Sequence, residues 1–290
     1  MTATSPERAQ EFDHRKDPLR RAPKRTLSNK PGLIRPYRYF ALSYRRTWRG
    51  SVTTTFIEPV LYLLAMGIGL GHLVNSHLSS RGQTGRLGGV GYVAFIAPGV
   101  IVATAMQTAT NASMYPVMAG IKWLKTFHAM LATPVRVRDV LHGHLAWVAT
   151  RVALGAASFL VVLACFGDVF SPLAVLVLPV SVLTGLAFAA PVTAFTVAQE
   201  NDSGLSLLYR LGIVPLFLFS GTFFPISQLP GWLQLAARAT PLYHAVALSR
   251  ALVLGRLDVV PACGHLLYLV AMFALGLLLS RRGFERRLVV

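Results

Sequence analysis

Charge is scarce in this sequence, and acidic charge is scarcest of all. Asp, Glu, Lys and Arg together make up 13% of the 290 residues, where soluble domains average roughly 25%. Only 11 residues are acidic, against 28 Lys and Arg. A charge at the centre of a bilayer costs roughly 2.5–3.5 kcal/mol, so long uncharged stretches are what a membrane-spanning chain requires. The composition therefore excludes an ordinary soluble domain.

Cysteine is nearly absent as well. Cys165 and Cys263 both lie in or beside apolar runs and have none of the spacings of a metal site. Two cysteines are too few for a disulfide framework, so we interpret them as small apolar packing residues. The first 50 residues contain no apolar core ahead of a cleavage site, so we expect the first span to act as its own targeting signal.

The motifs of membrane-embedded enzymes and of ATP-binding proteins are missing. The sequence has no His-Glu-x-x-His, no paired-Asp motif, no Gly-x-Ser-x-Gly elbow and no Gly-x-x-x-x-Gly-Lys-[Ser/Thr] loop. We therefore expect no catalytic residue, metal or cofactor in this chain; if ATP drives it, a second polypeptide must bind the nucleotide. Two alternatives stay open: a membrane-embedded lipid-modifying enzyme, opposed by the missing catalytic motifs, and a single-chain secondary transporter, opposed by the missing acidic relays and internal repeats.

Six apolar segments are present, each near the roughly 20 residues that a spanning helix needs. They lie at 52–74, 91–114, 143–166, 173–197, 206–224 and 259–279. The sequence therefore predicts an all-α integral membrane protein whose six-span domain covers residues 51–281.

Basic residues concentrate at the ends of the chain. Residues 1–50 hold 13 of the 28 Lys and Arg, and residues 281–290 hold four. Cationic ends beside spans indicate membrane topology and contact with anionic lipid rather than nucleic acid binding, and the Lys/Arg excess on one side predicts that both termini are cytoplasmic. We expect residues 1–31 to be a disordered basic tail, 32–50 an amphipathic helix in the membrane interface, and 282–290 a second basic tail.

Two connections between the predicted spans are too patterned for plain loops. In the cytoplasmic one, Met118, Ile121 and Leu124 recur at near-helical spacing. Lys122 and Lys125 fall on other faces, so we expect a short amphipathic helix across the ends of spans two and three. The external connection, residues 225–257, is too apolar for a solvated loop and too rich in proline for a span. Short re-entrant or interfacial helices fit it best.

Two ionisable residues are predicted to lie inside spans. Glu58 precedes Pro59 in the first span, and Arg151 lies in the cytoplasmic half of the third. Charged groups within a membrane are functional candidates by default. One interpretation is a Glu58–Arg151 ion pair that fixes span packing or gates movement. The other is that each side chain separately reaches the membrane interface.

Several stretches, in order along the chain, resemble the permease subunits of ABC-2 type exporters, and most closely the nodulation protein J branch. They cover roughly residues 50–257. The resemblance rests on the following stretches: Glu58-Pro-Val-Leu-Tyr-Leu-Leu, Gly67-Ile-Gly-Leu-Gly71, Tyr92-Val-Ala-Phe-Ile-Ala-Pro-Gly99, Leu131-Ala-Thr-Pro-Val-Arg136, Leu183-Thr-Gly-Leu-Ala-Phe188, Phe219-Ser-Gly-Thr-Phe-Phe-Pro225 and Thr240-Pro-Leu-Tyr-His-Ala-Val246.

The resemblance implies a permease subunit, not an enzyme, in an ATP-driven exporter of the bacterial inner membrane. In this family two permeases, identical or paralogous, associate, and each docks on one subunit of a cytoplasmic ABC ATPase dimer. Residues 117–133 match the family's coupling helix. This match implies ATPase contact for five residues: Met118, Ile121, Lys122, Leu124 and Lys125.

The resemblance also implies a gate and a class of substrate. Phe223, Phe224 and Pro225 match the re-entrant helices that close the outer end of the pathway. The nodulation protein J branch implies an amphipathic or lipid-linked substrate such as a lipo-oligosaccharide, whereas relatives in the wider family export hydrophobic drugs.

Overall fold

The structure, a computed structural model, describes residues 32–45, 57, 59–65, 69, 71, 76, 90–167 and 171–288. Every regular element in this part of the chain is helical. The helices are α1 (Ile34–Arg45), α2 (Tyr92–Ser113), α3 (Tyr115–Met118), α4 (Thr126–Leu131), α5 (Val137–Cys165), α6 (Val177–Ala198), α7 (Ser203–Leu207), α8 (Val214–Phe219), α9 (Gly231–Arg238), α10 (Pro241–Val253) and α11 (Val259–Leu288).

Short segments of other helical types connect several of these elements. Segments of π-helix follow α3 (Ala119–Trp123) and join α7 to α8 (Leu208–Ile213). Turns of 3₁₀-helix, Pro172–Leu176 and Ile226–Gln228, precede α6 and α9.

Four helical stretches among the described residues are long and apolar enough to span a bilayer: Tyr92–Trp123, Val137–Cys165, Pro172–Ala198 and Val259–Leu288. They coincide with four of the six predicted spans. The fifth predicted span corresponds to the shorter apolar stretch Ser203–Phe219. The first, 52–74, lies largely outside the described residues, so the number of six spans stays a prediction.

Two of the spanning helices are longer than predicted, and each extension has a local cause. Helix α5 begins at Val137 because the Asp139 carboxylate accepts a hydrogen bond from the Arg136 backbone N–H at 3.1 Å, which caps its first turn. Helix α11 continues to Leu288, where buried Phe284 packs against the ring of Phe127 at 5.8 Å between ring centroids. The basic residues at 281–287 therefore lie on a helix.

Helices α2 and α6 form the centre of the bundle, and α11 lies at its edge. The most apolar stretch of Tyr92–Trp123 is 78% buried, whereas that of Val259–Leu288 is 11% buried. Apolar side chains such as Val260 and Leu267 are 84% and 69% exposed on α11. An apolar face of this kind needs lipid or another protein against it.

Helix α11 approaches α6 closely through a glycine. A Cβ atom at Gly276 would lie 2.4 Å from Pro191 Cδ and 2.7 Å from Pro191 N, so only glycine fits at this crossing. One turn further on, the Ser280 hydroxyl donates to the Ala190 carbonyl at 2.5 Å. Small residues with an interhelical hydrogen bond are a usual way for helices to associate in lipid.

Further hydrogen bonds tie α2 to its neighbours. The Thr196 hydroxyl of α6 donates to the Ser113 carbonyl at 3.0 Å. The Ser249 hydroxyl of α10 donates to the Pro98 carbonyl at 2.9 Å. Each bond joins a buried hydroxyl to a backbone acceptor of α2, one near each end of that helix.

Helix α1 packs across the start of α5. A Cβ at Gly143 would lie 2.7 Å from the Pro36 side chain, so the two helices touch there. The rings of Tyr37 and Tyr44 both meet Trp147 edge to face, with centroids 6.0 and 5.2 Å apart. The predicted amphipathic segment 32–50 thus contains a helix over Ile34–Arg45, and residues 46–50 lie outside the described residues.

Candidate functional site

Two ends of the bundle carry the residues that sequence analysis singled out. The basic end comprises residues 32–38, 115–136, 199–203 and 281–288. The cap end comprises residues 220–257. Phe95 contacts the cap end and Trp123 lies at the basic end, and the 28 helical steps from one to the other correspond to about 40 Å.

The most exposed apolar residues of the basic end form a tip, Lys122 to Lys125. Trp123 is 54% exposed and Leu124 is 70% exposed, and a lysine lies on each side of them. Lys125 adopts a left-handed backbone with φ 50° and ψ 27°, an uncommon conformation outside glycine. This residue ends the π-helical segment and turns the chain into α4, so the tip projects between two short helices.

The base beneath the tip is closely packed. Phe127 is 1% exposed, and its ring lies between Phe284 of α11 and Phe40 of α1, with centroids 5.8 and 6.3 Å away. A Cβ at Gly120 would approach the Phe127 ring to 2.8 Å, so the ring fills the space that a side chain at 120 would need. The tip is therefore mounted on a buried aromatic cluster.

Two hydrogen bonds join this region to the link between α6 and α7. The Lys122 ammonium donates to the Glu200 carbonyl at 2.5 Å. The hydroxyls of Tyr115 and Ser206 are 3.1 Å apart. The 199–203 link and the tip consequently lie side by side on one surface.

The five residues assigned to ATPase contact divide into two groups. Lys122, Leu124 and Lys125 are exposed at the tip. Met118 is 2% exposed and packs with Met114, and Ile121 is 7% exposed. Both apolar side chains support the tip from inside the chain and present no surface to a partner.

Sequence reasoning passed over Trp123, although its signal was present. The tryptophan stands between Ile121-Lys122 and Leu124-Lys125 and falls outside the three-and-four spacing of the apolar stripe. An aromatic residue that breaks the buried periodicity of a helix is a candidate for external contact.

Arg250 organises the cap end. Its Nε donates to the Phe95 carbonyl and its Nη2 to the Gly221 carbonyl, both at 3.0 Å. The guanidinium carbon lies 3.8 Å from the centroid of the Phe95 ring, a cation–π contact. One arginine thus connects α10, the start of α2 and the segment that follows α8.

The predicted gate residues, Phe223, Phe224 and Pro225, are half-buried in that segment. Phe223 packs edge to face on Phe217 with centroids 5.1 Å apart, and its carbonyl accepts a hydrogen bond from the Tyr92 hydroxyl at 3.5 Å. Gly221 has φ +84°, which lets the chain reverse here. A cavity of about 420 Å³ opens beside the segment, with Pro225 and Arg250 in its wall.

A histidine pair, His244 of α10 and His265 of α11, lies between these two helices. The Nδ1 atoms of His244 and His265 are 2.8 Å apart, and the His244 ring stacks on Tyr268 with centroids 4.1 Å apart. Burial lowers the pKa of His244, and the neighbouring His265 lowers it further. No group of three or more His, Cys, Asp or Glu that could hold a metal occurs among the described residues.

The predicted Glu58–Arg151 pair stays a prediction, since Glu58 lies outside the described residues. Arg151 is half-buried, and its guanidinium carbon lies 5.9 Å from the centroid of the Tyr44 ring. Its aromatic neighbour on α1 provides a cation–π contact at the basic end.

The described part of the chain is an all-helical bundle with four helices long and apolar enough to cross a membrane and with an exposed apolar edge, as an integral membrane protein requires. The ABC-2 type transporter family matches residues 37–254. The chain belongs to this family, and it is a membrane transport subunit rather than an enzyme.

The relatives agree with this assignment. The chain is 35% identical to nodulation protein J of Rhizobium leguminosarum bv. trifolii over 249 residues, which cover 84% of this chain and 91% of the relative. It is 33% identical to nodulation protein J of Rhizobium meliloti (strain 1021) over 214 residues, 74% of this chain and 78% of the relative. The inner membrane transport permease YadH of Escherichia coli (strain K12) is 24% identical over 251 residues, 83% of this chain and 91% of the relative.

Proposed function

We propose that this chain is the permease subunit of an ATP-driven exporter and that its ATPase partner docks on the tip, Lys122 to Lys125. The exposed Trp123 and Leu124 carry this proposal, since they are large apolar side chains placed at the end of the bundle among basic residues. An interface core of this type, apolar and aromatic at its centre and charged at its rim, is typical of protein recognition. Acidic groups on the ATPase would complement the two lysines.

The packed base supports a role in transmitting force. Phe127 anchors the tip to α1 and α11, and the π-helical segment joins it directly to the helical run that begins as α2. A push on the tip would therefore displace helices rather than bend a loop. Permeases of the ABC-2 family generally pair with an ABC ATPase. The ATPase would supply the energy for transport, because this chain contains no phosphate-binding loop with which to bind ATP.

We place the basic end in the cytoplasm of a bacterial cell, with the protein in the inner membrane. Lys and Arg at this end of the described structure include Arg35, Arg38, Lys122, Lys125 and Arg286. The excess of basic residues over the cap end follows the positive-inside rule. Six spans complete this topology, with the first at 52–74 and the fifth at 206–224, and both termini are cytoplasmic.

The exposed apolar face of α11, at the edge of the bundle, is a surface that a second permease could contact. Two such subunits, identical or paralogous, would enclose a pathway between them, each docked on one ATPase of a dimer. The half-buried Phe223 and Phe224 of the cap end would close the outer mouth, with the short helices α9 and α10 as the re-entrant elements.

The substrate class follows from the apolar composition of the spans. Their side chains are mainly aliphatic and aromatic, with few acidic groups, so an amphipathic or lipid-linked molecule fits better than an inorganic ion or a free sugar. A lipo-oligosaccharide and a hydrophobic drug are both members of this class.

Co-purification with the ABC ATPase in mild detergent, followed by ATP turnover with and without the permease, tests the proposal. Leu124→Asp should abolish the complex, because it places an acidic group at the centre of the apolar contact. Leu235→Asp is the matched control: Leu235 is 74% exposed against 70% for Leu124, but it lies at the cap end. That variant should retain the complex.

Two results would contradict the proposal. If Leu124→Asp and Leu235→Asp bind the ATPase as the unchanged protein does, the tip is not the docking site. If no ATPase associates and turnover is unchanged, the chain is not part of an ATP-driven transporter. Ile121→Asp cannot serve in this experiment, because Ile121 is buried and the variant would unfold the basic end.

A further inference from the structure

A groove of about 590 Å³ runs between α6 and α11 at the basic end. Arginines form the part of the groove nearest the C-terminal end of α11, which we call the upper wall. Aliphatic side chains from both helices form the rest, which we call the lower wall. The residues that form it include Ala194, Val197, Leu279, Arg282, Arg286 and Arg287.

The arginines of the groove have no acidic partner in the described part of the chain. Glu285 lies on the same helix but pairs elsewhere, with Arg281 at 3.2 Å and with Arg138 at 3.5 Å. The salt bridges of the described residues involve Glu285 alone as the acid, and neither of them includes Arg282, Arg286 or Arg287. Three positive charges therefore line one side of a single groove.

The geometry matches a molecule with an anionic head and an apolar body. Arg282 and Arg286 are four residues apart, so both project from the same face of α11, about 6 Å from each other. Leu279 lies about one turn before Arg282, within the apolar part of the helix, and Ala194 of α6 lines the same groove. A ligand in this groove meets charge at the end of the bundle and hydrocarbon below it.

We infer that this groove binds an anionic phospholipid from the adjoining leaflet. Its phosphate contacts Arg282 and Arg286, Arg287 adds a third charge, and an acyl chain lies along Leu279 and Ala194. Basic pockets between spanning helices recognise anionic lipid head groups in this way. The aliphatic lower wall favours lipid over an acidic segment of a soluble partner, which could use the arginines but not the wall.

Gly283 gives the groove its depth. A Cβ at this position would meet Val197 at 3.6 Å, an ordinary van der Waals contact, so alanine is accommodated and a larger side chain fills the groove. Gly283→Leu therefore blocks the site without changing any charge, whereas Gly283→Ala leaves it open.

The test uses the full-length protein in detergent and measures retention of phosphatidylglycerol, with phosphatidylcholine as the neutral lipid and inorganic phosphate as the free anion. We expect phosphatidylglycerol to bind, phosphatidylcholine to bind weakly and phosphate alone not to compete. Arg282→Gln with Arg286→Gln should weaken phosphatidylglycerol binding about 25-fold, at about five-fold for each charge near the surface. Gly283→Leu should weaken it comparably, and Gly283→Ala should not.

A charge-matched control separates the groove from the general attraction of a basic surface. Arg35→Gln with Arg38→Gln removes two exposed charges from α1 at the same end, and it should leave lipid retention within about two-fold. An equal loss in this control, equal retention of the two lipids, or competition by phosphate alone would overturn the inference. So would loss of ATPase binding with unchanged lipid retention in the Arg282/Arg286 variant, which would make the groove a protein contact.

Discussion

Replacing Gly276 by alanine adds one methyl group at the closest crossing between two spanning helices. Helix α11 meets α6 at this point, with the Gly276 backbone directly against the Pro191 ring. The new Cβ would lie 2.4 Å from Pro191 Cδ, where carbon atoms normally approach to about 3.5–4.0 Å. Since the obstacle is a proline ring in a helix, the helices must part by about 1 Å.

The expected cost can be worked out from three contributions. Overpacking of this kind costs roughly 1–3 kcal/mol. Separation of the helices also weakens the hydrogen bond from Ser280 to the Ala190 carbonyl, worth about 0.6 kcal/mol between membrane helices. The better helix propensity of alanine returns up to about 1 kcal/mol. The net loss of stability is therefore roughly 1–2.5 kcal/mol.

Thermal unfolding in a fixed detergent measures this loss. At about 2–4 °C per kcal/mol, Gly276→Ala should lower the midpoint by roughly 2–10 °C. Gly264→Ala provides the matched control on the same helix, because no atom lies within 4 Å of its Cβ position and only the propensity gain applies. If the two variants unfold at the same temperature, the close crossing does not stabilise the bundle and the reasoning is refuted.

Three more predictions concern the two ends of the bundle. Gly120→Ala displaces the Phe127 ring and should reduce the stimulation of ATP turnover at least about five-fold while the protein stays folded. Gly155→Ala has open space at its Cβ position and should leave the stimulation unchanged, so equal stimulation by the two variants would contradict a rigid base under the tip. Arg250→Lys cannot reach the Phe95 and Gly221 carbonyls together, so the unfolding free energy should fall by about 1–3 kcal/mol, while Arg238→Lys at an exposed site leaves it unchanged. Because the pKa of His244 is lowered in the folded protein, the unfolded chain takes up a proton first as the pH falls below about 6.5. The contribution of His244 to the unfolding free energy is therefore full above that pH and declines below it. His244→Gln should make this decline shallower when the unfolding free energies at pH 7.5 and 5.5 are compared by chemical unfolding.

Hydropathy predicted four of the six spans well, because the apolar character that a bilayer requires is a property of composition over a long window. The windows at 91–114 and 173–197 match Tyr92–Trp123 and Pro172–Ala198 within a few residues at most boundaries. The ends were less predictable, since they depend on single contacts. The cap at Asp139 lengthens α5, and the packing of Phe284 on Phe127 carries α11 past its apolar part.

The candidate site shows where periodicity misleads. Met118, Ile121 and Leu124 form one stripe on an ideal α-helix, and that pattern predicted a single contact face. The π-helical segment Ala119–Trp123 and the left-handed Lys125 rotate the end of the stripe, so Met118 and Ile121 are buried while Leu124 is exposed. The periodicity of the sequence indicates neither feature, and the packing of Phe127 against Gly120 accompanies both in the structure.

The groove between α6 and α11 could not be predicted from the sequence either. A run of four arginines between 281 and 287 indicates a basic surface, but it does not reveal which of them Glu285 neutralises. That distinction arises because α5 brings Arg138 alongside Glu285 and α6 brings Val197 opposite Gly283. Charge pairing in space, rather than charge count, separates a binding groove from a solvated face.

The contacts of α2 constrain how the two ends can communicate. At the cap end, the Phe95 carbonyl accepts from Arg250, and Thr222 lies 3.3 Å from the position of a Cβ on Gly99. At the basic end the same helical run leads into the tip. Because buried hydrogen bonds and close packing fix the cap to α2, a displacement of the tip should move both ends as one body. Among the four bilayer-length helical stretches of the described residues, Val259–Leu288 has the least buried apolar part. If two permeases associate as proposed, we therefore expect opening to occur by movement between the two bundles, each of which keeps its internal packing.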